Sequence, residues 1–155
     1  MNPQTATLPE VIVIPAKITE KTQKTNNKKL RVAAYCRVST DDEEQLTSYR
    51  NQIEHYTNKI NQKPNWKLAG IFADEGITGV MAKKRDEFLK LISLCRDGKV
   101  DVIITKSISR FSRNIADTIK YVRELKALGV AVIFEKENID TSKMTSEMIL
   151  DMYGV

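Results

Sequence analysis

Cysteine and histidine are scarce in this chain. Its 155 residues include two cysteines, Cys36 and Cys95, and one histidine, His55. The cysteines lie far apart and form neither a CxxC pair nor an even framework. A zinc site or a disulfide scaffold is therefore not expected, and free thiols suit a reducing compartment. No apolar run approaches the ~18 residues that a membrane span requires. The N-terminus has no basic-then-apolar leader pattern, and no internal repeat is visible. These absences predict a soluble, cytoplasmic protein.

What is present points to a folded, basic protein. Apolar residues make up 41% of the chain and charged residues 29%, with a formal net charge of +5. The first figure permits a real core, and the excess of positive charge favours an anionic partner, nucleic acid foremost.

Residues 1–28 read as an extension. VIVIPA at 11–16 is a candidate short strand stopped by Pro15, and KITEKTQKTNNKK after it has the polarity of a linker. Its lysines Lys17, Lys21, Lys24, Lys28 and Lys29 are either solvated or in contact with DNA phosphates. From residue 30 the pattern turns regular. LRVAAYC (30–36), KLAGIFA (67–73), VDVIIT (100–105) and VAVIF (130–134) are strand candidates. Between them run three amphipathic helices. The first places Leu46, Tyr49, Ile53, Tyr56 and Ile60 on one face. The second places Phe88, Leu91, Ile92 and Cys95 there, and the third Ile115, Ile119, Val122 and Leu125. Asn114 is a candidate N-cap, and Gly98 and Gly129 close two of these helices. Residues 145–155 open another helix in which the chain stops, as a fragment of a longer protein would. Strand alternating with helix predicts an α/β fold, a mostly parallel sheet of four to five strands flanked by helices over residues 29–144.

Sites in such sheets gather beyond the C-terminal strand ends. Two predicted loops lie there. The first, 37–45, opens with Arg37, Val38, Ser39 and Thr40; the second, 106–113, runs KSISRFSR. Arg110 and Arg113 share a face if that stretch is helical. Guanidinium groups bind phosphate oxygens and stabilise charge on a transferring phosphoryl group, and a serine beside them has a use as nucleophile. The same residues also fit a plainer account, in which Ser39 and Thr40 cap the next helix and the arginines are solvated. Spacing alone leaves both open.

The motifs themselves resemble a known family. YCRVST (35–40), FADEGITG (72–79), KRDEFLKLI (84–92) and KSISRFSRN (106–114) follow the order and spacing of the resolvase/invertase family of serine site-specific recombinases. The likeness runs from residue 30 to 153. The form AAYCRVSTDDEEQLTSYRNQIE is similar to large serine recombinases and transposon-type members. The resemblance implies a resolvase-like catalytic domain and assigns Ser39 as nucleophile. It places Arg37, Arg85, Arg110 and Arg113 around the scissile phosphate, with Gln52, Asp74, Lys106 and Tyr35 in support. Ser109 stands where small resolvases carry an aspartate, so that position offers no carboxylate for proton transfer. The resemblance further implies double-stranded DNA as partner, homodimers or tetramers in the full-length protein, nucleoid association, and no cofactor.

Other features have competing explanations. Asp41, Asp42, Glu43 and Glu44 complement a helix N-terminus or, with Asp74, form a nuclease metal site. His55 is expected at the surface or half-buried, and Cys36 in the packing. Met144, Met148 and Met152 form a stripe that suits core or subunit interface equally. Beside the enzyme stands a non-enzymatic DNA-associated module that retains the fold.

Overall fold

The computed structural model describes residues 28–38, 43–75, 85–112 and 114–151. Five strands form one sheet in the order β2-β1-β3-β4-β5. They are β1 (Leu30–Val38), β2 (Trp66–Glu75), β3 (Val102–Thr105), β4 (Ala131–Phe134) and β5 (Ile139–Asp140). The first four pair in parallel, and β5 returns antiparallel to β4. The helices are α1 (Glu43–Asn61), α2 (Asp86–Arg96), α3 (Ile108–Phe111), α4 (Ile115–Ala127) and α5 (Ser146–Asp151). This is the predicted α/β fold.

The run in β1 is apolar because both faces of that strand are covered. Val32, Ala34, Cys36 and Val38 join Tyr56 and Ile60 of α1 in one core. Ala33 and Tyr35 point the other way, into a second core with Phe88 and Leu91 of α2, Val122 and Leu125 of α4, and Ile149 of α5. Helices therefore lie on both faces of the sheet. The chain leaves β1 for β2 on one side, then returns across β1 to β3 on the other. That reversal puts the topological switch point between β1 and β3.

Local signals behave as their chemistry requires. Asn114 Oδ1 accepts the Asp117 amide at 2.8 Å and caps α4. Gly98 and Gly129 take φ of +73° and +78° just past α2 and α4, where a side chain would be strained.

Several expectations need correction. The first loop was expected from residue 37, but β1 continues through Val38 and α1 starts at Glu43, so Arg37 is a strand residue. The second expected loop contains α3, a single turn too short to show a period. Ser112 is extended at φ −150° and ψ 155°, so the helical stretch that holds Arg110 ends at Phe111. Ile115, expected on the buried face of α4, is exposed together with Ala116 and Asp117 of the same first turn, while Thr118 and Val122 are buried. Met144 packs partly against the core and Met148 is exposed. VIVIPA, Thr40, Asp41, Asp42 and Met152 lie outside the described residues.

Candidate functional site

At the switch point the C-terminal end of β1 meets the residues that leave β3. Tyr35, Cys36 and Arg37 of β1, Gln52 of α1, and Lys106 and Arg110 around α3 line one small pocket. Three separate stretches of sequence thus converge on it. Arg37 and Gln52 are half-buried, whereas Lys106, Ser109 and Arg110 are exposed. A larger cleft of about 460 Å³ adjoins this pocket and shares Gln52 and Lys106 with it. Ser48, His55, Tyr56, Glu135 and Lys136 complete its lining. His55 is exposed, with its ring edge-on to Tyr56.

The turn α3 is held from inside. Ser107 caps it, its Oγ accepting the Arg110 amide at 3.3 Å and lying 3.0 Å from Ser109 Oγ. The Ile108 amide donates to Glu137 Oε1 at 2.8 Å. These contacts fix the backbone of Arg110 and leave its guanidinium at the surface.

Tyr35 and Asp74 form the floor beneath the arginines. The Tyr35 hydroxyl donates to Asp74 Oδ2 at 2.8 Å. Asp74 also accepts the amides of Glu87 at 2.9 Å and Phe88 at 3.0 Å, in the first turn of α2. With three donors on one buried carboxylate, Asp74 is a structural acceptor that fixes α2 to β2. Burial pushes the Tyr35 phenol up to about 12, against the opposing charge of Arg85.

Arg85 sits on the far side of Tyr35, immediately before α2. Its guanidinium lies 3.6 Å from the Phe88 ring centre and 5.5 Å from that of Tyr35. Its Nη2 donates to the Phe111 carbonyl at the end of α3. Its Nε is buried and, among the described residues, has no hydrogen-bond partner. Arg85 thus joins the start of α2 to α3 and is not among the residues lining the Arg37–Arg110 pocket.

The structure brings together Tyr35, Arg37, Gln52, Lys106 and Arg110, with Asp74 and Arg85 behind them. Ser39 and Arg113 lie outside the described residues, Ser39 one position past Val38 in the chain. Cys36 is buried as expected; burial pushes its thiol up to about 12, with the charge of Glu135 adding to the effect. Among the described residues no three His, Cys, Asp or Glu side chains gather to hold a metal ion. Nor is any described helix long and apolar enough to cross a membrane.

One cluster was missed from the sequence. Glu135 accepts the Tyr56 hydroxyl at 2.6 Å and pairs with the Lys59 ammonium. Burial alone would raise its pKa, but Lys59 and Tyr56 outweigh burial and the net shift is downward. Glu135 directly follows β4, so the rule that sites lie past strand ends could have singled it out.

Comparison with known proteins agrees with this fold. A family model described as the resolvase N-terminal domain matches residues 32–155. A resolvase/recombinase of Pseudomonas putida is 28% identical over 121 residues, 78% of this chain. The chain spans 60% of the length of that relative. A resolvase-family site-specific recombinase from Streptococcus pneumoniae superimposes with a TM-score of 0.66 at 25% identity, covering 81% of this chain and 87% of that one. The N-terminal catalytic domain of TP901-1 integrase has the same fold, with a TM-score of 0.58 at 22% identity over 80% of this chain and 91% of its own. With most of its length matched by that family model and its fold shared with a resolvase-family site-specific recombinase, this chain belongs to the resolvase family, matching its N-terminal domain.

Proposed function

We propose that the chain is the DNA-cleaving and rejoining domain of a larger serine recombinase, with Ser39 as nucleophile. The observation that carries this reading is the pocket at the β1/β3 switch point. It draws Arg37, Gln52, Lys106 and Arg110 from three elements to the strand end that Ser39 follows.

In this reading Ser39 Oγ attacks the phosphorus of a DNA phosphodiester. A bond forms between Oγ and phosphorus as the bond from phosphorus to the 3′ oxygen breaks. The 3′ oxygen leaves as a hydroxyl, taking up a proton as Oγ gives one up. The 5′ oxygen stays on phosphorus, giving a 5′-phosphoserine. One phosphodiester replaces another, so rejoining by the reverse attack needs no outside energy source. Arg37 and Arg110, with Arg113, bind the non-bridging oxygens and offset charge in the transition state. Gln52 and Lys106 orient the phosphate. Tyr35 and Asp74 hold the floor, and Arg85, outside the pocket lining, positions α3 through its bond to the Phe111 carbonyl. Ser109 replaces a carboxylate, so it contributes at most hydrogen bonding. The full-length protein acts on double-stranded DNA in the cytoplasm as a dimer that pairs into a tetramer.

The experiment uses a randomised duplex DNA library. The chain is incubated with it, denatured, and the covalently attached DNA is recovered and sequenced. Attached DNA linked at Ser39 through a 5′ phosphate, and none with Ser39→Ala, is the expected result. Adducts that survive Ser39→Ala, or DNA binding without any adduct from the unaltered chain, would overturn the proposal; the latter result favours a non-enzymatic DNA-associated module.

A further inference from the structure

We infer that Glu135 is a positioning residue for this pocket: its carboxylate fastens α1 to the C-terminal edge of β3 and β4, and so holds Gln52 in place relative to Lys106 and Arg110. The inference rests on the proposed Ser39 chemistry.

The backbone on both sides of Glu135 is fixed to the strand end that carries the site. Its amide donates to the Thr105 carbonyl at 3.1 Å, and the Lys136 amide donates to the Lys106 carbonyl at 2.8 Å. The Glu135 bond continues the alternation of the β3–β4 ladder by one step, and the Lys136 bond ties the turn that follows to a pocket-lining residue. From this anchored backbone the carboxylate reaches across to α1. One oxygen accepts the buried Tyr56 hydroxyl at 2.6 Å, and the other takes the Lys59 ammonium. Tyr56 and Lys59 are three apart on α1 and share a face. Gln52 lies four residues before Tyr56, one turn nearer the start of the helix, on that same face.

The arrangement suits alignment better than bulk stability. The apolar packing of α1 by Tyr56 and Ile60 already secures the helix to the sheet. That packing is non-directional, so it leaves helix slide and rotation weakly defined. A two-oxygen brace with a charged partner fixes both. Phosphoryl transfer is sensitive to such alignment, since a misplacement of ~1 Å can cost on the order of 100-fold. Tyr56 and Glu135 also line the larger cleft that opens beside Gln52 and Lys106, so the brace adjoins the residues it aligns.

The test compares Glu135→Ala, Glu135→Gln and Tyr56→Phe in the whole chain. DNA recovered by the capture experiment serves as substrate. Three quantities are measured: the single-turnover rate of adduct formation, the DNA concentration giving half that rate, and the urea midpoint. Glu135→Ala is expected to slow adduct formation by about tenfold or more per folded molecule, with half-saturation unchanged. Glu135→Gln restores part of the rate, because its amide oxygen still accepts the Tyr56 hydroxyl. Adding Tyr56→Phe to Glu135→Ala brings no further slowing, since both remove one contact. An unchanged rate in folded Glu135→Ala, or a loss confined to half-saturation, overturns the inference while leaving the Ser39 reading intact. An unaltered chain that forms no adduct overturns the Ser39 reading and this inference with it.

Discussion

The Tyr35 hydroxyl donates to the Asp74 carboxylate across 2.8 Å, inside the layer where the sheet meets α2. The same carboxylate accepts the first amides of α2, so its removal strands three donors. Asp74→Ala is expected to destabilise the fold by roughly 2–4 kcal/mol, read as a lower urea midpoint. Asp74→Asn keeps one acceptor oxygen and should lose less. An Asp74→Ala variant as stable as the parent would mean that the carboxylate is not the anchor of α2.

Alkaline pH probes the buried acids. Burial raises the Cys36 and Cys95 thiols from 9.0 to about 12, and the Tyr35 phenol from 10.0 to about 12. In the unfolded chain these groups lose their protons at the lower values. Well below pH 9 both states are protonated and the groups have no effect on stability. As pH rises toward 12 the unfolded state binds fewer protons, so stability falls, by up to ~1.4 kcal/mol per pH unit for each responding group. Urea titrations at increasing alkaline pH should show this slope, and Cys36→Ala should reduce it. A slope unchanged by Cys36→Ala would contradict the placement of that thiol.

Arg110 and Arg85 are expected to separate activity from stability. Arg110 is exposed, and its side chain does not hold α3 together. Arg110→Ala should leave the urea midpoint near that of the parent while lowering adduct formation by about 100-fold. Arg85→Ala removes a cation–π contact with Phe88 and a donor to the Phe111 carbonyl, and should cost ~1–2 kcal/mol as well. Equal stability losses in the two variants would contradict this division.

Asn114 offers a local control. Its side chain accepts the Asp117 amide, so Asn114→Ala leaves a helix-end donor unpaired. The expected cost is about 1 kcal/mol, with Asn114→Gly losing only part of that. Thermal unfolding of the two variants would check the order.

The fold was legible in the sequence wherever one local rule governed the chain. The apolar run of β1 and the 3–4 spacing of Phe88, Leu91, Ile92 and Cys95 gave their elements, because each follows from a single covered surface. Arg37 and Val38 were harder, since a charged residue reads as the end of a strand whose pairing in fact continues. The turn α3 is too short for periodicity, and β5 has only two residues. Of the site, Tyr35, Arg37, Gln52, Lys106 and Arg110 were named in advance and do converge. Their convergence needed the crossover from β2 to β3, which no local pattern encodes. The Glu135 brace joins residues 79 and 76 positions apart, a distance over which propensity and periodicity have no reach.

The register of β2 against β1 slips between Val32 and Ala33, where Leu68 pairs with Val32 but Gly70 pairs with Ala33. Ala69 is the surplus residue, and Gly70, at φ +154°, lets the backbone accommodate it. Before the slip, even-numbered residues of β2 such as Leu68 pack toward α1; after it, even-numbered Phe72 packs with the α2 core. Asp74 inherits that inverted phase. Strand parity therefore works as a selector for the carboxylate. Excising Ala69 would straighten the strand and leave Asp74 under Tyr35. Inserting one residue between Gly70 and Asp74 would turn the carboxylate to the opposite side, beneath α1, and unhook α2 without changing any residue of the site.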